Sequence, residues 1–250
     1  MMKRIVLFIA LSYTLIGTDL RAAQPQLSPG QQLASEMRQT QLLNYDHIAG
    51  YLRKKARRGE RSNRNLSLQT ALVDGQWMSR FTTLNPETGE SERLTIYRSP
   101  EQRPRYYRAT AQPGSVLPDQ GDELEPSEIM SEYAGSDFWV ADLGLEFFYW
   151  PDQKILSDAP IRMRKGISCF VLESERKSGA STTGYTRVRS WISRDHGGLI
   201  YAEAYDASGK QIKTFEVSDV EKIDGEWKLR ELSIRDEVAR SVTRLILTNR

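Results

Sequence analysis

The chain has 250 residues, with 35 lysines and arginines against 33 aspartates and glutamates, which gives a formal net charge of +2. A balance so close to neutral does not indicate a nucleic-acid partner. The only cysteine, Cys169, excludes an intrachain disulfide.

The first 23 residues have the features of a secretory signal peptide. Lys3 and Arg4 give a positive start, residues 5–16 are mainly apolar, and residues 17–23 end in small side chains. The apolar run is too short to span a bilayer comfortably, and an N-terminal membrane anchor is the alternative. We expect cleavage after Ala22 or Ala23 and export, which in a bacterium means the periplasm.

The chain that follows the signal peptide is predicted to be neutral. Removing residues 1–23 takes away three basic residues and one acidic residue, which leaves 32 of each. No later apolar run approaches the length of a membrane span. We therefore expect residues 24–250 to form a single domain with no integral membrane span.

The first predicted elements are a helix and an antiparallel meander. Ser28 is a suitable N-cap and Pro29 suits the first helical position, which predicts a helix over about residues 29–42. The apolar period then changes to two, which predicts strands over residues 48–53, 66–72, 77–83, 94–97 and 106–109. Asp74-Gly75 predicts a two-residue hairpin turn, and residues 112–126 read as an exposed loop.

Residues 132–151 hold the densest group of aromatic side chains. Phe138, Leu143 and Phe147 follow one another at helical spacing, with Ser136 or Asp137 as the expected N-cap and Pro151 as the end. This pattern predicts a short helix buried against a sheet. Further strands are predicted over residues 169–173, 184–192, 199–205, 212–217, 227–235 and 241–247, with a second hairpin turn at residues 224–225.

Two stretches resemble the outer-membrane lipoprotein-sorting-like proteins of bacteria, a group related to the LolA/LolB-like fold. They are "GSDFWVADLGLEFFYWP", from residue 135, and the tail from residue 187 to about residue 234. The resemblance implies a mainly β, α+β fold, in which an incomplete antiparallel barrel wraps around short inner helices. An apolar cavity between sheet and helices accepts acyl chains in that fold.

The resemblance implies a periplasmic, non-enzymatic carrier or binder of lipoprotein acyl chains or lipids. Membrane partner proteins at the inner and outer membranes are then expected, and no cofactor is. The residues expected to line the cavity are Phe138, Trp139, Leu143, Phe147 and Trp150. For any one of them alone a simple core position is favoured over a cavity position, whereas the cluster as a whole is expected to touch the cavity. The alternatives are a ligand-free envelope interaction or stress-sensor module of the same fold, and an exported hydrolase.

Other reactive side chains favour structural roles. Asp137 and Asp142 are interpreted as capping groups rather than paired catalytic carboxylates. His47 and His196 are the only histidines, which leaves a metal site unsupported. The basic run over residues 53–64 is interpreted as a solvated hairpin tip, and a surface for anionic lipid headgroups or for an acidic partner is the alternative. We therefore predict no catalytic residue and no metal ligand.

Overall fold

The structure is a computed structural model that describes residues 27–40, 45–156, 161–176, 184–223 and 225–248. The predicted signal peptide, the last residues of the predicted first helix and Asp224 lie outside the described residues. The helices of the described ranges are α1 (Pro29–Gln39), α2 (Val140–Leu143) and a 3-10 helix (Glu146–Tyr149). The strands are β1 (Ile48–Lys55), β2 (Arg61–Val73), β3 (Gln76–Leu84), β4 (Ser91–Arg98), β5 (Arg105–Ala111), β6 (Asp122–Glu123), β7 (Asp152–Ile155), β8 (Ile161–Arg164), β9 (Ile167–Glu175), β10 (Arg187–Ser193), β11 (Leu199–Tyr205), β12 (Gln211–Ile223), β13 (Glu226–Asp236) and β14 (Ser241–Thr248).

Helix α1 begins at the predicted cap. The Ser28 hydroxyl accepts a hydrogen bond from the Gln31 N–H at 3.3 Å, and the Gln31 side chain accepts one from the Ser28 N–H at 2.9 Å. This reciprocal pair satisfies two N–H groups that the first turn leaves free. Leu33 and Met37 bury one side of the helix against β7 and the 3-10 helix. The helix ends at Gln39, because the backbone of Thr40 is extended.

The strands form one antiparallel sheet in the order β6-β5-β4-β3-β2-β1-β14-β13-β12-β11-β10-β9-β7, and β8 also pairs with β9. Two meanders thus meet where β1 pairs with β14, which places Leu52 opposite Leu245. Both side chains are buried. The first and last long strands of the described chain are therefore joined at the middle of the sheet.

The long strands predicted from the sequence are confirmed, and so is the first hairpin turn. Asp74 and Gly75 have φ angles of +50° and +74°, the pattern of the turn that joins twisted antiparallel strands. The short strands β6, β7 and β8 were not predicted. They have two to four residues each, too few for an alternating pattern to stand out from loop sequence.

Residues 127–150, which we call the inner segment, lie against the buried face of the sheet. The segment contributes many side chains to the main hydrophobic core, together with strands from both meanders. The sheet curves around it without closing, because the strand path ends at β6 and β7. The predicted incomplete barrel around short inner helices is confirmed.

The aromatic stretch is not one helix, as its spacing suggested, but two short helical pieces. They are separated at Gly144 and Leu145, where Leu145 has a φ of +52°. Such an angle is strained for leucine and ends the α-helical path. A side chain at residue 144 would also collide with the Tyr106 hydroxyl. None of the helices in the described ranges combines the length and apolar character needed to cross a membrane.

Candidate ligand-binding interior

The five residues predicted to line a cavity lie together in the interior. Phe138 and Phe147 are fully buried, Leu143 and Trp150 are also buried, and Trp139 packs at the edge of the same core. The Phe147 ring centroid lies 6.0 Å from that of Phe215 on β12. These contacts make the inner segment the apolar filling of the incomplete barrel.

Trp139 joins the apolar core to a polar centre. Its ring stacks on Tyr185, with centroids 5.5 Å apart and planes 4° from parallel. The Lys213 ammonium lies 3.7 Å from the centroid of the Trp139 ring, a distance at which a cation is attracted to the face of an indole. Trp139 thus covers a buried charge.

The polar centre is an ion pair between Lys213 and Asp142. Lys213 Nζ lies 2.9 Å from Asp142 Oδ2 and donates a second hydrogen bond to the Asp137 carbonyl at 2.8 Å. Asp142 also accepts from the Tyr185 hydroxyl at 2.7 Å and from the Trp139 N–H at 2.7 Å. Each buried charge is therefore paired and hydrogen-bonded, as stable burial requires.

Burial lowers the pKa of the Lys213 ammonium below its usual value, because the charged form loses hydration. Asp142, Asp236 and Asp137 oppose this shift by favouring the charged form. The geometry is that of a fixed ion pair, with the ammonium held by two oxygen acceptors and an aromatic face. It joins the inner segment to β12.

A second set of polar contacts joins the inner segment to β1 and β14. Asp137 accepts hydrogen bonds from the hydroxyls of Ser241 at 2.6 Å and Thr243 at 2.9 Å. Lys54 Nζ lies 3.0 Å from its carboxylate and also donates to the Gly135 carbonyl at 3.1 Å. The inner segment is thus held at the junction of the two meanders.

The interpretation of the two aspartates as caps is right for one of them only. Asp142 accepts from the N–H of Trp139, the residue that precedes α2, and therefore acts as a capping group. The expected N-cap at Ser136 or Asp137 is wrong, because α2 begins at Val140 and Trp139 occupies the cap position. Asp137 instead receives its donors from strands far away in sequence.

A further buried charge lies at the 3-10 helix. Glu146 accepts hydrogen bonds from Arg103 Nε at 2.9 Å and from the Tyr106 hydroxyl at 3.0 Å. Burial raises the pKa of the Glu146 carboxyl, and Arg103 and Tyr106 oppose that shift. Burial and the carboxylate together raise the pKa of Tyr106 as well. This group anchors the end of the inner segment to the β4–β5 connection and β5.

Three surface cavities have volumes of about 280, 270 and 660 Å³. The first borders Glu146, Arg103 and Tyr106, the second lies beside Arg80 and Tyr97, and the third is lined mainly by cations. Among the described residues, the five predicted cavity residues border none of these three. Their part in ligand binding therefore stays a prediction.

The remaining reactive residues are dispersed. His47 shares a hydrogen bond of 2.9 Å with Ser67, and His196 packs beside Trp227. Cys169 is buried in β9, and burial raises the pKa of its thiol. Within the described ranges, no three histidine, cysteine or acidic side chains come together as a metal site.

Sequence reasoning missed Lys213, Tyr185 and the hydroxyls of β14. One signal for Lys213 was available, because the alternation of β12 places it on the same face as Phe215. A lysine on the same buried face as a phenylalanine needs an acidic or hydrogen-bonding partner in the interior. The partners of Asp137 left no such signal, since Ser241 and Thr243 lie about a hundred residues away.

Comparison by sequence gives one family model, described as "Uncharacterized protein", which matches residues 120–250, more than half of the chain. A comparison with curated proteins finds no match. The matched region contains the whole inner segment and the whole second meander.

Solved structures share the fold. A DUF1329 family protein from Desulfovibrio piger has a TM-score of 0.69 at 22% identity, over 88% of this chain and 90% of that one. An outer membrane lipoprotein-sorting protein domain from Vibrio parahaemolyticus has a TM-score of 0.68 at 18% identity, over 88% and 90%. A LolA superfamily protein from Nitrosomonas europaea has a TM-score of 0.61 at 15% identity, over 88% and 91%. These likenesses show a LolA-like fold.

Proposed function

The chain belongs to the family whose model matches residues 120–250. We propose that this protein is a periplasmic, non-enzymatic carrier of lipoprotein acyl chains or lipids. Its part in the cell is the sorting of outer-membrane lipoproteins. The observation that carries the proposal is the filling of the barrel. One segment rich in buried apolar side chains, residues 127–150, occupies the interior of a sheet that does not close.

In this proposal an acyl chain binds to the buried face of the sheet, at the place that the inner segment covers. The aromatic side chains of the segment form an apolar surface against strands of both meanders. If the segment moves outward, an acyl chain takes over these contacts with the strands. Each methylene group that leaves water contributes about 0.8 kcal/mol.

The contacts that hold the segment are suited to a reversible movement. Besides its apolar packing, the segment is held to the sheet by discrete side-chain groups, among them those at Asp137, Asp142 and Glu146, rather than by a ladder of backbone hydrogen bonds. Two polar atoms at its end, the Tyr149 hydroxyl and Trp150 Nε1, are buried without a hydrogen-bond partner among the described residues. Buried unpaired groups cost free energy, which lowers the cost of moving this end.

A ligand-free interaction module of the same fold is the second candidate. It is favoured by the burial of Phe138 and Phe147 in a filled core. The two candidates differ in whether the interior accepts an apolar guest. No nucleophile–base pair of a hydrolase is present among the groups described above, so an exported hydrolase has no comparable support.

Binding of cis-parinaric acid, followed by its fluorescence, tests the proposal. Trp139→Ala removes an aromatic side chain at the edge of the interior. We expect this variant to bind the probe roughly tenfold more weakly, which corresponds to about 1.4 kcal/mol. Mass spectrometry of the protein purified from membranes provides a second measurement, in which co-purified lipid is expected.

Trp191→Ala is the matched control. Trp191 is buried beside Tyr201, in a small cluster separate from the main core. Its removal also destabilises the fold, by about 3–5 kcal/mol for a buried tryptophan, but leaves the interior intact. If the wild-type protein binds no probe, or if Trp139→Ala lowers only the melting temperature, the inner segment is plain core and the carrier proposal fails.

A further inference from the structure

The outer face of the sheet carries a concentrated group of cations at the junction of the two meanders. A groove of about 660 Å³ crosses four neighbouring strands there, and its lining is Arg53, Lys55, Arg61, Asn63, Arg235, Val242 and Arg244. We call these residues the basic face. Strands are about 4.8 Å apart, so the four strands spread the charges over about 15 Å.

The register places these cations side by side. Arg53 of β1 lies directly opposite Arg244 of β14, and Lys55 lies directly opposite Arg61 of β2. Like charges at directly opposite positions destabilise a sheet. The juxtaposition of like charges therefore does not itself stabilise the sheet, which points to a role outside folding.

Few carboxylates neutralise the basic face. Arg244 lies 3.7 Å from Glu231, and Arg235 lies 3.9 Å from Glu237, both at the limit of an ion pair. Arg53, Lys55 and Arg61 have no carboxylate within that range among the described residues. All five cations are exposed.

Arg57 and Arg58, in the turn between β1 and β2, extend the same surface and are exposed, as is Glu60 in that turn. This single acid does not balance them. The excess of positive charge therefore continues from the four strands to the rim of the sheet.

We propose that the basic face binds the phosphate headgroups of an anionic phospholipid bilayer. Four of its five cations are arginines, whose planar forks match phosphate oxygens. The cations are spread over an open surface instead of converging on one point, which suits an extended array of phosphates better than a single free phosphate. Protein interfaces need an apolar centre, whereas this face offers only Val242.

The inference does not rest on the carrier function. The basic face lies on the outside of the sheet, and the residues proposed to contact an acyl chain lie on the inside. Vesicle binding and fatty-acid probe binding are therefore separate measurements, and either can fail without the other.

Co-sedimentation of the purified protein with vesicles tests the inference. We expect binding to phosphatidylcholine vesicles that contain phosphatidylglycerol, little binding to pure phosphatidylcholine, and release as salt is raised. In Arg53→Gln/Arg244→Gln the partition should weaken about 30-fold, or about 2 kcal/mol, since each cation near a membrane contributes about 1 kcal/mol.

Lys154→Gln/Lys210→Gln is the matched control, because it removes two exposed cations outside the basic face. It should bind the anionic vesicles like the wild-type protein. Equal losses in both double variants, or no binding to anionic vesicles at low salt, overturn the proposal. Saturable binding of inorganic phosphate or of polyglutamate without vesicle binding overturns it as well, and assigns the face to a free anion or to an acidic protein.

Discussion

Strand β1 ends in three consecutive cations, residues 53–55, and the middle one differs from its two neighbours in its surroundings. Lys54 points inward and contacts the Asp137 carboxylate at 3.0 Å and the Gly135 carbonyl. Its neighbours Arg53 and Lys55 point outward, opposite other cations of the sheet or next to them. One strand therefore carries both a paired cation that holds the inner segment and exposed cations that face other cations of the sheet.

The same difference separates the interior from the basic face. Inside, Lys213, Asp142 and Asp137 each have a charged partner and further hydrogen bonds. Outside, the cations gather with little compensation. Charges that are buried and paired explain how the inner segment is held, whereas charges that are exposed and unbalanced indicate a partner.

Breaking the interior ion pair between Lys213 and Asp142 should destabilise the fold more than any other change proposed for these charges. Lys213→Met keeps a side chain of similar length but leaves the Asp142 carboxylate buried without its cation. We expect the free energy of unfolding to fall by about 3–5 kcal/mol, because an uncompensated buried charge is costly. Urea denaturation followed by circular dichroism measures the loss.

Two further variants show whether charge is the cause. Lys210→Met changes an exposed lysine of the preceding turn and should alter stability by less than about 0.5 kcal/mol. Lys213→Met/Asp142→Asn should be more stable than Lys213→Met, because the group left behind is neutral. Wild-type stability in Lys213→Met would show that the pair does not hold the segment.

Glu146 offers a smaller, pH-dependent effect. Burial raises the pKa of its carboxyl in the folded protein, so the folded state holds more protons than the unfolded state between the unfolded pKa, about 4.3, and the folded pKa. Stability from this group is therefore greatest at acid pH and is lost as pH rises through the folded pKa. Glu146→Gln keeps an acceptor for Tyr106 and Arg103 but does not titrate.

Thermal unfolding of both proteins over a range of pH measures this effect. The stability of Glu146→Gln relative to the wild type should rise as pH increases from about 4. The pKa of Glu92 is also raised by burial, but that residue titrates in both proteins and cancels in the difference. A difference that does not change with pH would mean that Glu146 keeps an ordinary pKa in the folded protein.

The sequence predicted the sheet better than the site. The strands follow from local alternation, and the Asp74-Gly75 turn from the backbone angles that those residues accept. Asp137 could not be assigned in this way, because its donors Ser241 and Thr243 come from the far end of the chain. The predicted N-cap failed for the same reason, since the Asp137 carboxylate accepts hydrogen bonds from these hydroxyls and not from the N–H groups of α2.

The basic run over residues 53–64 shows a similar limit of prediction from sequence. Alternation along β1 separates Lys54 from Arg53 and Lys55, as a strand requires. The cations that complete the basic face, Arg235 and Arg244, are brought beside them only by the pairing of β1 with β14 and of β14 with β13. Local pattern therefore predicts which side chains point outward but not which of them meet.

Removing charges from the basic face should change the stability of the fold least. Arg53→Gln/Arg244→Gln removes a directly opposed like-charge pair, so the free energy of unfolding should stay within about 0.5 kcal/mol of the wild type or rise slightly. Urea denaturation at low salt, where repulsion is screened least, measures it. A loss of several kcal/mol would mean that these arginines stabilise the fold, and the basic face would then need no partner to explain it. Unchanged or increased stability, beside the large loss in Lys213→Met, would place the two groups of charges in different roles.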